Sequence, residues 1–269
     1  TARYSFRRVL RRPGCFIRGR SRSRSAMRET PAQTFHRGGP ENVRFWARFR
    51  TAPALPGARV LDVGCSYGRL CVDIAAAGAR EVVGVDIDAE AIAFARENVA
   101  RNYPDLAPKI DFRCGNLASL DLAPFDIIVS KESAEHFLDF EGMLRAMAAR
   151  LKPGGLLFMG FGPLWRSPFG DHGMFKLKLP WAHLLVPERL MMPRVSRWWG
   201  REIRSIEQMG LNRMPLAGYV RAIRASGLQT VEFGVNRGDR LAVKLCSAIR
   251  CLPLLKEYFT LNIYCVLKR

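Results

Sequence analysis

Apolar positions along this chain alternate between two rhythms. Short β-branched or apolar runs at 60–63, 81–85, 110–114, 125–130 and 156–161 have the length of strands. Between them apolar residues recur at helical spacing, as in Leu70, Ile74 and Ala77, then Ile92, Ala95 and Val99, then Leu144, Met147 and Leu151. Gly78 ends the first of these helices, Asp88 caps the second, and Lys152-Pro-Gly-Gly155 stops the third. Strand and helix alternating through five units predict a parallel sheet with right-handed crossovers. A short amphipathic helix at 41–50, carrying Phe45, Trp46 and Phe49, is expected before the first strand. The regular pattern breaks at 162–203, returns as a helix at 215–226 and a strand at 228–233, breaks again at 234–258, and closes with a strand at 260–267.

The join at residues 60–70, Val-Leu-Asp-Val-Gly-Cys-Ser-Tyr-Gly-Arg-Leu, passes from strand to helix through a glycine-bearing turn. Small residues there let the backbone approach a ligand, and the N–H groups of the helix start face it. A dinucleotide fingerprint fails, because Ser66 and Arg69 stand at its second and third glycine positions, and no Gly-Lys-Ser/Thr follows to make a phosphate loop. The spacing that fits is Asp62-x-Gly64-x-x-x-Gly68, with Asp86 ending the next apolar run.

On these residues the chain resembles the class I S-adenosylmethionine-dependent methyltransferases over roughly 42–268. The resemblance implies an α/β, Rossmann-like seven-stranded fold of order 3-2-1-4-5-7-6 with the last strand antiparallel, and S-adenosylmethionine as cofactor. It further implies that the turn Asp62, Gly64, Cys65, Ser66, Tyr67 and Gly68 wraps the methionine part. Asp86, with Ile87 beside it, would take both ribose hydroxyls, Asn116 and Leu117 would meet the adenine, and Ser130 and Lys131 would line the transfer site. A carboxylate suits the ribose because its two oxygens can accept from neighbouring hydroxyls at once. Ser66 departs from the family's usual glycine; at a positive φ it would cost about 1 kcal/mol. The loop after the fourth strand lacks the Asn/Asp-Pro-Pro-Tyr/Phe of enzymes that methylate base amines. Its Glu135-His136 pair is frequent in the family and usually structural.

The domain reading that follows is a basic, disordered segment at 1–39, then a methyltransferase domain at 40–269 with a substrate cap at about 162–205 and a second insertion at about 234–258. Within the cap, His172 is the first candidate for a general base with Asp171 to orient it, and His183 the second. No ligand cluster with metal spacing is visible, so no metal is expected. The formal charge of +19 is front-loaded, with nine arginines and no acid in residues 1–26, a segment that reads as an arm, a transit peptide or an extension before a start at Met27. Seven scattered cysteines without a Cys-x-x-Cys pair suit a reducing, cytoplasmic compartment. Nucleic acid is not the expected partner, since no recognition module is present. The expected function is methyl transfer to an O or N atom of a small-molecule acceptor. Two alternatives stand beside it. One is a peripheral-membrane enzyme acting on a lipid or lipid-linked acceptor, because 176–199 mixes Leu, Met and Trp with Lys and Arg while its prolines oppose one long helix; the other is a non-catalytic binding protein of the same fold.

Overall fold

The structure, a computed structural model, describes residues 29–269. Its centre is a seven-stranded sheet built from β1 (Arg59–Val63), β2 (Glu81–Asp86), β3 (Ile110–Cys114), β4 (Phe125–Lys131), β5 (Leu151–Phe161), β6 (Gln229–Val235) and β7 (Ile263–Lys268). The order is β3-β2-β1-β4-β5-β7-β6, as the resemblance implied, with β7 antiparallel to both β5 and β6.

Side chains alternate across the sheet and so divide between two cores. In β1, Val60 joins a cluster with Phe35, Leu70, Ile74 and Ile92, whereas Leu61 and Val63 join one with Phe140, Leu144, Tyr219 and Ile223. The first layer comprises α1 (Pro31–Trp46), α2 (Arg69–Ala76) and α3 (Ala89–Asn102); the second comprises α4 (Phe140–Ala149) and α7 (Leu216–Ala225). Between β5 and α7, the cap holds α5 (Ala182–Leu185) and α6 (Glu188–Trp199), and α8 (Leu241–Ile249) lies in the second insertion.

Three elements differ from expectation. Helix α1 begins at Pro31, inside the stretch expected to be disordered, and residues 1–28 of that stretch lie outside the described residues. Thr30 and Gln33 form a reciprocal capping box, and Gly38 and Gly39 let the helix close on Arg69: a Cβ on Gly39 would meet the guanidinium at 2.8 Å. Packing thus overrides the helix-breaking Gly-Gly-Pro. Strand β5 begins at Leu151, which pairs with Phe125 rather than ending a helix, and the Pro153-Gly154-Gly155 stretch is absorbed as a register shift before Leu156 pairs with Ile127. Pro193 lies inside α6, whose Met191, Met192 and Val195 bury into a separate small core with Phe175, Ile203 and Leu211. The cap's apolar residues therefore make a core of their own first.

Candidate active site

The carboxyl ends of β1, β2 and β4 converge on the turn between β1 and α2. Gly64 (φ 80°) and Gly68 (φ 80°) both occupy the left-handed region, and so does Ser66 (φ 48°). The serine penalty is met locally, because the Ser66 N–H donates to Asp86 Oδ2 at 2.7 Å; the Asp88 N–H donates to Asp86 Oδ1 at 3.0 Å. A carboxylate has about four acceptor positions, so two stay open for hydroxyls. Gly64 admits no side chain: a Cβ there would lie 2.2 Å from Ser133 Oγ and 2.7 Å from its Cβ. Gly64→Ala is therefore expected to lose about 2 to 4 kcal/mol of stability from the left-handed backbone and the overlap together, with part restored in Gly64→Ala/Ser133→Gly, as chemical denaturation would show. A purely additive double variant would refute the overlap.

A cavity of about 220 Å³ opens on this turn, lined by Asp62, Gly64, Ser66, Tyr67, Lys131 and Glu132 from the sheet edge and by α1. Asp62 is buried, accepts from Cys71 Sγ at 3.3 Å, and has its carboxyl pushed up to about 7, chiefly by burial. A cation in the cavity would favour its ionised form. From α1, Asn42 donates to Asp73 Oδ2 at 2.8 Å and accepts from Lys131 Nζ at 2.9 Å, while Glu41 lies 3.7 Å from the same ammonium. Arg37, Glu41 and Asn42 line the cavity and were not anticipated; the Thr30-x-x-Gln33 signature was the available signal.

Other expected positions divide. Ile87, 78% exposed, offers an apolar face next to Asp86. Asn116 stands exposed with its Oδ1 accepting from the Ala118 N–H, whereas Leu117 is sealed in the core with Val85, so it does not form the surface of the crevice. Cys65 lines the cavity though mostly buried, whereas Ser130 is fully buried and its Oγ has no hydrogen-bond partner among the described residues.

The cap histidines need correction. His183 is buried, with Nε2 2.7 Å from Trp165 O and Nδ1 4.0 Å from Asp171 Oδ1, so both nitrogens serve the cap's interior. Asp171, which also accepts the Phe175 N–H, faces His183 and does not orient His172; the left-handed backbone at His172 (φ 53°) turns the neighbouring side chains apart. His172 instead reaches the 3-10 turn after β4. Its ring centroid lies 5.3 Å from that of His136, and Glu135, His136 and His172 each offer a ligand atom within 4.8 Å of the others. His172 Nε2 sits 2.9 Å from Pro163 O and His136 Nδ1 2.7 Å from Gly210 O. Carbonyls only accept, so these contacts place a proton on each of those nitrogens and leave Nδ1 of the His172 ring as a lone pair. Burial, then His136, pushes His172 down to about 4, so it is neutral at pH 7. Such a set can accept a proton or a divalent cation. The expectation of no metal-ligand cluster missed it because its members come from two separate loops.

These features define a Rossmann-like domain with a cavity at the carboxyl ends of its central strands. The description "Methyltransferase domain" matches residues 60–155. Ubiquinone biosynthesis O-methyltransferase from Bradyrhizobium sp. (strain ORS 278) is 37% identical over 126 residues, 46% of this chain and 48% of that protein. Ribosomal protein L11 methyltransferase from Symbiobacterium thermophilum is 36% identical over 48% of this chain and 40% of its own length. The chain thus spans about half or less of the length of these curated relatives. An S-adenosylmethionine-dependent methyltransferase from Mesorhizobium loti shares the fold, with a TM-score of 0.56 at 18% identity over 87% of this chain and 99% of that one. Residues 60–155 thus match a methyltransferase domain, and the sheet order and fold are those of S-adenosylmethionine-dependent methyltransferases of known structure.

Proposed function

We propose that the chain is a methyltransferase that moves a methyl group to an oxygen or nitrogen of a small-molecule acceptor. The observation that carries this reading is the Asp86 carboxylate, tethered by two backbone N–H groups at the mouth of the turn with acceptor positions to spare. The cofactor supplies an electrophilic methyl on a sulfonium. Asp86 would hold the ribose hydroxyls, Ile87 would cover one face of the base, and Asp62 would face the ammonium of the methionine part. Orientation of acceptor and methyl in a closed site is worth roughly 7 to 11 kcal/mol. His172, neutral and with a free lone pair, is the group to take the acceptor's proton, as a weak base held down by burial and then by His136. Titration calorimetry with S-adenosylmethionine and its demethylated product, followed by transfer of labelled methyl to phenol and amine pools, tests the reading. Micromolar binding with label transferred supports it, and a folded protein that binds neither nucleoside refutes it.

A lipid-linked acceptor is the second reading. It is favoured by a groove of about 490 Å³ between the cap and the second insertion, lined by Trp165, Trp181, Leu184, Leu185, Leu255 and Phe259. A phenol bearing a prenyl tail should then be methylated in preference to the tail-less phenol. Equal kcat/KM for the two would remove this reading.

A further inference from the structure

Helix α8 turns its apolar side to solvent. At about 100° per residue, Leu241, Leu245, Ala248 and Ile249 share one side of the helix, and Leu252 prolongs it. Leu241 is 71% exposed, Leu245 55% and Leu252 58%, while Cys246 on the opposite side is the helix's buried residue. A surface helix of a globular domain ordinarily buries that stripe. The chain then passes through Leu254, 90% exposed, to Leu255 and Tyr258 at the rim of the groove. There Trp181 Nε1 donates to Tyr258 O at 3.2 Å, which joins the insertion to the cap, where Leu179 and Leu185 are also exposed.

Basic residues outnumber acidic ones on these two segments. Arg240, Lys244 and Lys256 are exposed around α8, and Lys178, Arg189 and Arg194 are exposed on the cap. Of the two acids in the second insertion, Glu257 is held by the Leu216 and Ala217 N–H groups at 2.8 and 3.0 Å, which leaves Asp239.

We propose that this face docks the protein on an anionic lipid bilayer, with α8 lying in the interface and its leucines among the acyl chains. A second copy of the chain would bring the same basic residues against one another, whereas an anionic surface attracts each of them. The leucines add the hydrophobic part of binding. Among the described residues no helix is long and apolar enough to cross a membrane, so contact through this face is peripheral.

Co-sedimentation of the full chain with vesicles of phosphatidylcholine mixed with phosphatidylglycerol, and with vesicles of phosphatidylcholine alone, is the test. Binding is expected to the mixed vesicles and to weaken with salt. Leu241→Gln/Leu245→Gln keeps the net charge, so any attraction from the arginines of residues 1–26 is the same in both proteins. The double variant should partition at least about tenfold less. Lys244→Gln/Lys256→Gln should lower binding several-fold and reduce its salt dependence. Leu254→Gln, outside the helix, serves as an independent probe should the double variant not fold. No binding to mixed vesicles, or equal binding of wild type and the leucine variants, overturns the proposal. So does a dimer that the leucine variants disperse while vesicle binding is unchanged. The readout involves no methyl transfer, so it stands or falls separately from the proposed activity.

Discussion

Asp86→Ala removes S-adenosylmethionine binding from the range calorimetry detects while the protein still folds. The carboxylate is held at 2.7 Å by the Ser66 N–H and at 3.0 Å by the Asp88 N–H, and its open positions are those that would meet the ribose hydroxyls. A hydrogen bond to a charged acceptor contributes about 1.5 to 3 kcal/mol, so losing two weakens binding by roughly a hundredfold to ten-thousandfold. A second loss compounds the first. Ser66 sits at φ 48° with its N–H on this carboxylate, and without it the turn loses the tether that offsets its strained backbone. Asp86→Asn separates the two effects: it keeps the shape and one acceptor oxygen, so the turn is retained better than the ribose site. Its affinity should fall between wild type and Asp86→Ala, with a smaller drop in Tm. An unchanged Kd in a folded Asp86→Ala protein would place the ribose elsewhere and remove the main support for the proposed function.

What could be read from the sequence follows from the range of the interactions involved. The sheet was legible because each strand is a contiguous apolar run and each crossover a contiguous helical period. The candidate turn was legible for the same reason, since Asp62 and Asp86 stand at the ends of two neighbouring strands and Gly64 and Gly68 lie in the short turn that follows the first. Features made by contacts distant in sequence were not. Gly38-Gly39-Pro40 reads locally as a break, and its place inside α1 depends on Arg69 packing beneath it. Leu151 reads as the last residue of a helical face, yet its partner is Phe125 across the sheet. The cap shows the limit most plainly. Asp171 and His172 are adjacent in sequence and so were paired, whereas the fold sends one to His183 inside the cap and the other to His136 beyond β4. Periodicity carries no information on such a division, because both residues lie in an irregular loop whose course is set by its own small core.

The ligand-free protein is expected to lose stability as pH rises from about 4.5 to 8, and Glu135→Gln should flatten that decline. Glu135 is buried, with Oε1 accepting the Gly162 N–H at 3.1 Å and Oε2 without a hydrogen-bond partner among the described residues. Burial raises its carboxyl from 4.5 to about 8, against the smaller opposing effect of backbone donors. Between those two values the folded chain binds a proton that the unfolded chain has released. Stability from this group is therefore complete below pH 4.5, falls as pH rises, and is gone above pH 8. The difference amounts to something on the order of 5 kcal/mol. Asp62, raised from 3.8 to about 7 by burial, acts with the same sign and completes its loss about one pH unit earlier. An amide at 135 keeps the acceptor for Gly162 and removes the titration, so Glu135→Gln should match wild type near pH 4.5 and exceed it above pH 8 by several degrees in Tm. A chelator belongs in both samples, since a cation on Glu135, His136 and His172 would favour the ionised carboxylate and mask the effect. Glu135→Gln/Asp62→Asn should be flatter still. Parallel Tm profiles for wild type and Glu135→Gln would mean that Glu135 is ionised in the folded protein, and the unpartnered oxygen would then require a bound cation or water to satisfy it.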